Sequence, residues 1–191
     1  MRITQPLPTP TADRETGVPL VIHTIGHSTH TAQGFHALLE AHGIRQLADV
    51  RAFPGSRRHP HFGQAPLAAF LTAAGIRYRH FPGLGGHRKP HPDSINTGLR
   101  HPGFRGYADH MQMDAFRSSL DELLAFAAGG PTTVMCAEAV WWRCHRRLLA
   151  DALFVRNVIV RHILSPRDAK AHELSEFARE QGGWLTYPGL L

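Results

Sequence analysis

Short β-branched runs alternate with amphipathic segments along most of this chain. Leu20–Ile25 is such a run, closed by Gly26, and reads as a strand. After Thr31, which has the chemistry of an N-cap, Phe35, Leu38 and Leu39 recur at helical spacing until Gly43. Gln46–Arg51 predicts a second strand. Pro66–Ala74 predicts a helix with Leu67, Phe70 and Leu71 on one face, ended by Gly75. Ile76–Phe81 alternates as a third strand. From Pro82 to Gly103 no apolar period is found, which predicts a long loop of the kind that often carries function. Helix is expected from about Arg105, broken near Met113, with Asp114 capping a second piece to Phe126. Thr132–Ala137 is the fourth strand, Trp141–Phe154 the next helix and Val158–Leu164 the fifth strand. Ser165 and Pro166 then resemble an N-cap and first-turn proline, predicting a helix to Gln181. Gly183–Pro188 reads as a last short strand.

Five alternations of strand and helix predict one α/β domain over residues 20–191. Its sheet is expected to be mostly parallel, with about five strands and helices on both faces. Residues 1–19, rich in Pro and Thr without a hydrophobic period, predict a mobile tail. There is no internal repeat.

Length and composition agree with a single globular domain: 191 residues, 42% hydrophobic. No run approaches the roughly 20 apolar residues of a membrane span, and the N-terminus lacks the apolar core of a signal peptide. Two cysteines eight positions apart are no secreted disulfide framework, so a reducing cytoplasm is the expected location. Net charge is +6, and only Lys89 and Lys170 among the 21 basic residues are lysines. Arginine donates in a planar fork suited to phosphate or carboxylate. An anionic small molecule or a nucleic acid is therefore the expected partner, although an arginine-rich composition alone explains the charge equally well. Fifteen histidines are scattered without His-Glu-x-x-His or other tight metal spacing.

In a parallel sheet the carboxyl ends of the strands share one edge, where open α/β proteins bind ligands. Here those ends read Gly26-His27-Ser28, Asp49-Val50-Arg51, His80-Phe81-Pro82 and Cys136-Ala137-Glu138. Cys136 is a candidate nucleophile if its thiolate is favoured by the following helix and nearby guanidiniums; its alternative is a small buried strand residue. Cys144 shares an i+4 stripe with Leu148 and Ala152, so core packing is expected for it. A zinc site from Cys136, Cys144 and His145 lacks a paired CxxC and an evident fourth ligand, and no metal is expected. His27 is either the candidate proton carrier or a histidine that hydrogen-bonds neighbouring backbone. Glu138 and Asp49 are each either acid–base groups or arginine clamps. Ser28, Arg51, Arg57, Arg88, His145 and Arg146 are candidate substrate contacts. Gly85 and Gly86, in the glycine-rich basic loop Gly83–Arg88, either join them as backbone donors or belong to a plain flexible turn. That loop lacks the Gly-Lys-Ser/Thr ending of a triphosphate loop. Tyr107 is either core or pocket lining, and of Trp141 and Trp142 one is expected in the core and one as a stacking surface. The six residues between Cys136 and Arg143 exceed the five of cysteine-phosphatase and rhodanese loops, lack their glycines and include a carboxylate.

Five motifs in order, Thr24-Ile-Gly-His27-Ser28, Asp49-Val-Arg51 with Pro54 and Ser56, Gly83-Leu-Gly-Gly86, Phe104–Tyr107-Ala, and Met135-Cys-Ala-Glu138 through Cys144-His-Arg146, resemble the bacterial and archaeal family catalogued as domain of unknown function 488. The likeness covers about Val21–Leu164. It departs in having Trp141-Trp142 where the family often has a proline. The resemblance implies a Rossmann-like fold and groups these residues into one site, without supplying a reaction or a cofactor. The residues by themselves leave three readings: an enzyme on a phosphate-bearing nucleotide or nucleic-acid component, a non-catalytic nucleic-acid-binding module, or a thiol redox or sulfur-transfer protein.

Overall fold

The computed structural model describes residues 19–55 and 57–189. The expected tail falls outside them except for Pro19, and Ser56 of the second motif lies outside them too. The five expected strands all form: β1 (Val21–Gly26), β2 (Gln46–Asp49), β3 (Arg77–His80), β4 (Thr132–Cys136) and β5 (Ile159–Ser165). All four of their pairings are parallel, and they join one six-stranded sheet in the order β3-β2-β4-β1-β5-β6, with β6 (Asp168–Ala171) antiparallel at one edge.

This order explains how the helices divide. The path β1→β2→β3 moves toward one edge, and β3→β4→β5 moves back. Right-handed crossovers therefore place the outward helices on one face and the return helices on the other. Accordingly α1 (Ala32–Ala41) and α2 (Gln64–Ala73) bury Phe35, Leu39, Leu67 and Leu71 with Ile25, Leu47 and Met135. On the opposite face α3 (Pro102–Met111), α4 (Asp114–Ala127) and α5 (Arg146–Phe154) bury Tyr107, Leu123 and Leu149 with Ile22, Ala48 and Val134. The fold is a single Rossmann-like α/β domain with both sheet faces covered.

Thr31 caps α1 as expected, its hydroxyl accepting from the Gly34 amide at 3.0 Å. Two expectations fail locally. The cap of α4 is Met113, and Asp114 is the first helical residue, where its charge still favours the helix dipole. The segment after β4 is not one helix from Trp141: a single 3-10 turn spans Trp141–Arg143, and α5 starts only at Arg146.

The largest correction is at 165–181. No helix forms there. Pro166 and Arg167 turn the chain into β6, and β7 (Arg179–Gln181) pairs with β8 (Trp184–Thr186) as a separate antiparallel hairpin. A buried polar chain overrides the local capping signal. Asp151, fully buried on α5, accepts from His172 Nε2 at 2.9 Å, the Ser175 amide at 3.0 Å and the Tyr187 hydroxyl at 2.9 Å. Because the carboxylate takes the His172 Nε2 proton, Nδ1 of His172 accepts from His162 Nε2 at 3.1 Å. His162 Nδ1 in turn accepts from Thr24 Oγ1 at 2.8 Å. A helix over 166–181 would forgo these bonds and strand the Asp151 charge in the core.

Candidate functional site

The loops leaving β1 and β4 run to opposite faces of the sheet, as do those leaving β2 and β4. A crevice must therefore open at the carboxyl end of β4, the switch point of the topology. A cleft of about 1000 Å³ lies there, with His27, Ser28, Arg51, Cys136, Cys144 and His145 among its walls.

Its floor depends on two close approaches. At Gly26 the turn after β4 crosses directly over the backbone, so that an added Cβ would sit 1.9 Å from the Glu138 carbonyl oxygen. At Gly86 an added Cβ would sit 2.9 Å from Nδ1 of His145, whose ring lies against the glycine loop. That ring also packs against Tyr107, with centroids 5.0 Å apart and planes tilted by 52°. Tyr107 is fixed by its hydroxyl donating to the Leu84 carbonyl at 3.0 Å.

The His145 ring has one allowed orientation of its proton. Nε2 lies 3.2 Å from the Val50 carbonyl, which can only accept, so Nε2 carries the hydrogen. Nδ1 then presents its lone pair to both sulfurs, Cys144 Sγ at 3.6 Å and Cys136 Sγ at 3.9 Å. The three ligand atoms all lie within 4.8 Å of one another. Cys144 Sγ also receives Nε–H of Arg146 at 3.4 Å. The two thiols titrate as a pair. Hydrogen bonding from Cys136 pulls the Cys144 thiol well down, helped by the Arg146 guanidinium, and the same bond, with burial, pushes Cys136 up. The Nε–H of Arg146 at 3.4 Å favours the thiolate on Cys144, which is buried in the core as its periodicity predicts. Cys144 precedes α5 in an extended conformation (φ −126°, ψ 153°), yet it joins Leu148 and Ala152 in one buried cluster as the i+4 stripe predicts. The signal that marks it is its adjacency to His145 and Arg146.

Across the cleft, Asp49 is fully buried and committed to Arg51. Its Oδ1 accepts from the Arg51 amide at 3.1 Å and Nε at 2.8 Å; its Oδ2 accepts from Nη2 at 2.5 Å and from the Tyr78 hydroxyl at 2.8 Å. Arg51 Nη1 donates to the Phe62 carbonyl at 2.8 Å and approaches Nε2 of His27 at 3.4 Å. His27 Nδ1–H donates to the Ser28 carbonyl at 3.1 Å and the ring stacks on Phe62. Burial, then the neighbouring Arg51 charge, lowers its pKa to about 4. Asp49 is therefore the clamp that aims Arg51, and His27 is a neutral acceptor beside the guanidinium. Ser28 (φ 46°) and His87 (φ 61°), both on the cleft wall, occupy the left-handed region that favours glycine, a form of strain that clusters at functional sites.

The candidate residues thus separate. His27, Ser28, Arg51, Gly86, Cys136, Glu138 and His145 line the cleft, with Glu138 exposed. Asp49 stands behind Arg51, and Tyr107 behind His145. Arg146 is buried beneath the turn, where Nη2 donates to the carbonyls of Glu138 and Ala139 and holds the turn's shape. Gly85 packs on the Ala52 backbone. Arg88 donates to the Gly85 carbonyl at 3.2 Å and lines a different groove. Arg57 is exposed away from the cleft wall, while its neighbour Arg58 lines it. Arg58 and Phe53 from the loop after β2, and Arg143 from the 3-10 turn, also line the cleft; of these, Phe53 carries no signal in the strand exits. Of the tryptophans, Trp141 stacks on His162 at 3.8 Å, and Trp142 is 49% exposed on the cleft rim.

The family model for domain of unknown function DUF488 matches residues 31–153. The chain belongs to this family. The match takes in Arg51, Cys136, Cys144 and His145, whereas His27 and Ser28 at the β1 exit lie before it. Comparisons with curated proteins and with solved structures find no match. Among the described residues no helix is long and apolar enough to cross a membrane.

Proposed function

We propose that this DUF488 protein is an enzyme whose substrate is an anionic, ring-bearing molecule, a nucleotide or a nucleic-acid component, bound in the cleft at the end of β4. The observation that carries this reading is the placement of the Cys136–Cys144–His145 cluster at the floor of a cleft with a cationic, aromatic rim. Arg58 and Arg143 are exposed there and suit a phosphate. Phe53, 77% exposed, and Trp142 offer faces on which a base can stack. Arg51 has spent most of its donors on Asp49, Phe62 and His27, so it contributes an oriented edge rather than a full fork. The reacting atom belongs beside the sulfurs and Nδ1 of His145, with Glu138 on the cleft wall as the available carboxylate for proton transfer.

The test is equilibrium binding of a nucleoside, its monophosphate and a short single-stranded oligonucleotide across a salt series. The monophosphate is expected to bind at least tenfold more tightly than the nucleoside. Arg58→Ala with Arg143→Ala should remove that difference and flatten the salt dependence. Absence of binding by all three ligands contradicts the reading.

The non-catalytic binding reading differs in one outcome: Cys144→Ser and His145→Ala would then leave every measurable property of the bound nucleotide unchanged, including its slow conversion to product. Thiol redox or sulfur transfer draws on the proximity of the two sulfurs, and it requires Cys144 to alkylate faster at neutral pH than free cysteine does.

A further inference from the structure

The geometry points to a binding site for one soft divalent cation of the zinc type, held by Cys136 Sγ, Cys144 Sγ and His145 Nδ1, with its fourth position open to the cleft. This deepens the reading of the cleft as an enzyme site and rests on it for the identity of what occupies that fourth position.

Four observations support the site. The donor set, two sulfurs and one imidazole nitrogen, is the chemistry zinc selects, and it matches the three-ligand, one-open-position pattern of catalytic rather than structural sites. The spacing also fits. Zn–S bonds of about 2.3 Å and Zn–N bonds of about 2.0–2.1 Å at tetrahedral angles give S···N edges of about 3.5–3.6 Å. The edges found are 3.6 Å and 3.9 Å, and the sulfurs fall within 4.8 Å of each other. The imidazole is already oriented as a ligand. Its Nε2–H is tied to the Val50 carbonyl, which is how metal-bound histidines are usually fixed, and the lone pair of Nδ1 is aimed at the sulfurs. Arg146 Nε–H donates to Cys144 Sγ as a second-layer contact. Finally, all three residues line the cleft, so the cation would meet a substrate.

The charges are compatible. Two thiolates and a neutral imidazole neutralise a divalent ion, and Asp49 already compensates Arg51 across the cleft. The fourth position takes a water molecule or an oxygen of the substrate. A metal at this point polarises that oxygen as a Lewis acid, which makes hydrolytic chemistry on a nucleotide or base the class of reaction favoured.

Sequence spacing conceals the site because its ligands come from a strand end and from the residues between a 3-10 turn and a helix, eight and nine positions apart. The converging element is the turn itself, held over Gly26 and from beneath by Arg146.

The experiment uses the full chain, reduced and stripped of metal, titrated with Co²⁺ and then Zn²⁺. One equivalent of Co²⁺ is expected to give the intense visible bands of a tetrahedral ion together with a thiolate charge-transfer band in the near ultraviolet. Zn²⁺ should displace it one for one and slow alkylation of both cysteines at least tenfold. Cys144→Ser and His145→Ala should each weaken Zn²⁺ binding at least a hundredfold. A weak octahedral cobalt spectrum, or two cysteines that alkylate equally fast with and without Zn²⁺, overturns the site; both readings are taken on the native chain and do not depend on the variants folding. Nucleotide binding measured on the same samples separates the two proposals. Nucleotide binding without metal binding removes this inference alone, and metal binding without nucleotide binding removes the substrate reading.

Discussion

Val50 sets the tautomer of His145. The carbonyl at the end of β2 accepts the Nε2 proton at 3.2 Å, and in doing so turns the unprotonated nitrogen toward both sulfurs. Strand β2 thus orients a group that belongs to the segment after β4, and the reactive cluster exists only because these two strands are neighbours in the sheet.

That orientation also needs space beneath the ring. Gly86→Ala puts a methyl 2.9 Å from Nδ1 of His145, and the ring must move. The expected result is a folded protein destabilised by about 1–3 kcal/mol, with Zn²⁺ affinity reduced at least tenfold. Denaturant melts and the chelator-competition titration measure the two effects separately. Unchanged Zn²⁺ affinity would show that the glycine loop does not hold the ring.

The Asp49–Arg51 pair is buried on both sides, with side-chain exposures of 0% and 6%. Removing one partner leaves the other charge in the core. Asp49→Asn should therefore cost about 3–5 kcal/mol, while Tyr78→Phe, which removes one bond to the same carboxylate, should cost about 1 kcal/mol. Urea unfolding at neutral pH checks the ratio. Equal costs would mean that the pair is more hydrated than its burial indicates.

His162 makes the fold acid-sensitive. Burial, followed by the charges of His172, Arg146 and Lys170, lowers its pKa from 6.5 to about 3. Between those two values the unfolded chain binds a proton that the native chain refuses. Stability therefore falls as pH falls from about 6.5 toward 3, with a limiting slope of about 1.4 kcal/mol per pH unit from this residue. Thr24, His172 and Trp141 surround the ring, and none of them supplies a compensating negative charge. His162→Gln should reduce the difference in unfolding free energy between pH 7 and pH 4.5. The same difference in variant and native protein would assign the acid sensitivity to other groups, among them His23 and His27, whose pKa values are each lowered to about 4.

Asp151 anchors the last part of the chain through His172, Ser175 and Tyr187. Asp151→Ala leaves three buried donors without an acceptor, at a cost of about 1–3 kcal/mol for each one that stays dry. Limited proteolysis should cut the variant first within residues 166–183 at concentrations that leave the native protein whole. A digestion pattern identical to native would contradict the anchoring role.

The parallel strands are legible in the sequence because each is a compact apolar run bounded by turn residues, and their exits identify His27, Arg51 and Cys136 as neighbours before any coordinates. What is illegible depends on long-range contacts. Ser165-Pro166 carries a sound local helix signal, yet His172 is claimed by Asp151 twenty-one residues earlier in the chain. Cys144 carries a helical stripe and is buried with Leu148 and Ala152 as that stripe predicts, but the helix begins two residues later, so its sulfur also meets His145, which the stripe does not show. Arg146 reads as an anion contact and is instead bonded to the backbone of the turn it shapes. Arg58, in the loop after β2, and Arg143, at the end of the 3-10 turn, are far apart in sequence until the fold brings them to one rim.

The most direct measurement is an amide NMR titration of the native, metal-loaded protein with a nucleoside monophosphate. Shifts are expected to concentrate on Ser28, Ala52, Phe53, His87, Trp142 and Arg143, which ring the cleft floor. Shifts confined to the separate groove of Arg117, Arg156 and Trp184, or none at saturating ligand, would contradict the assignment of this cleft as the functional site.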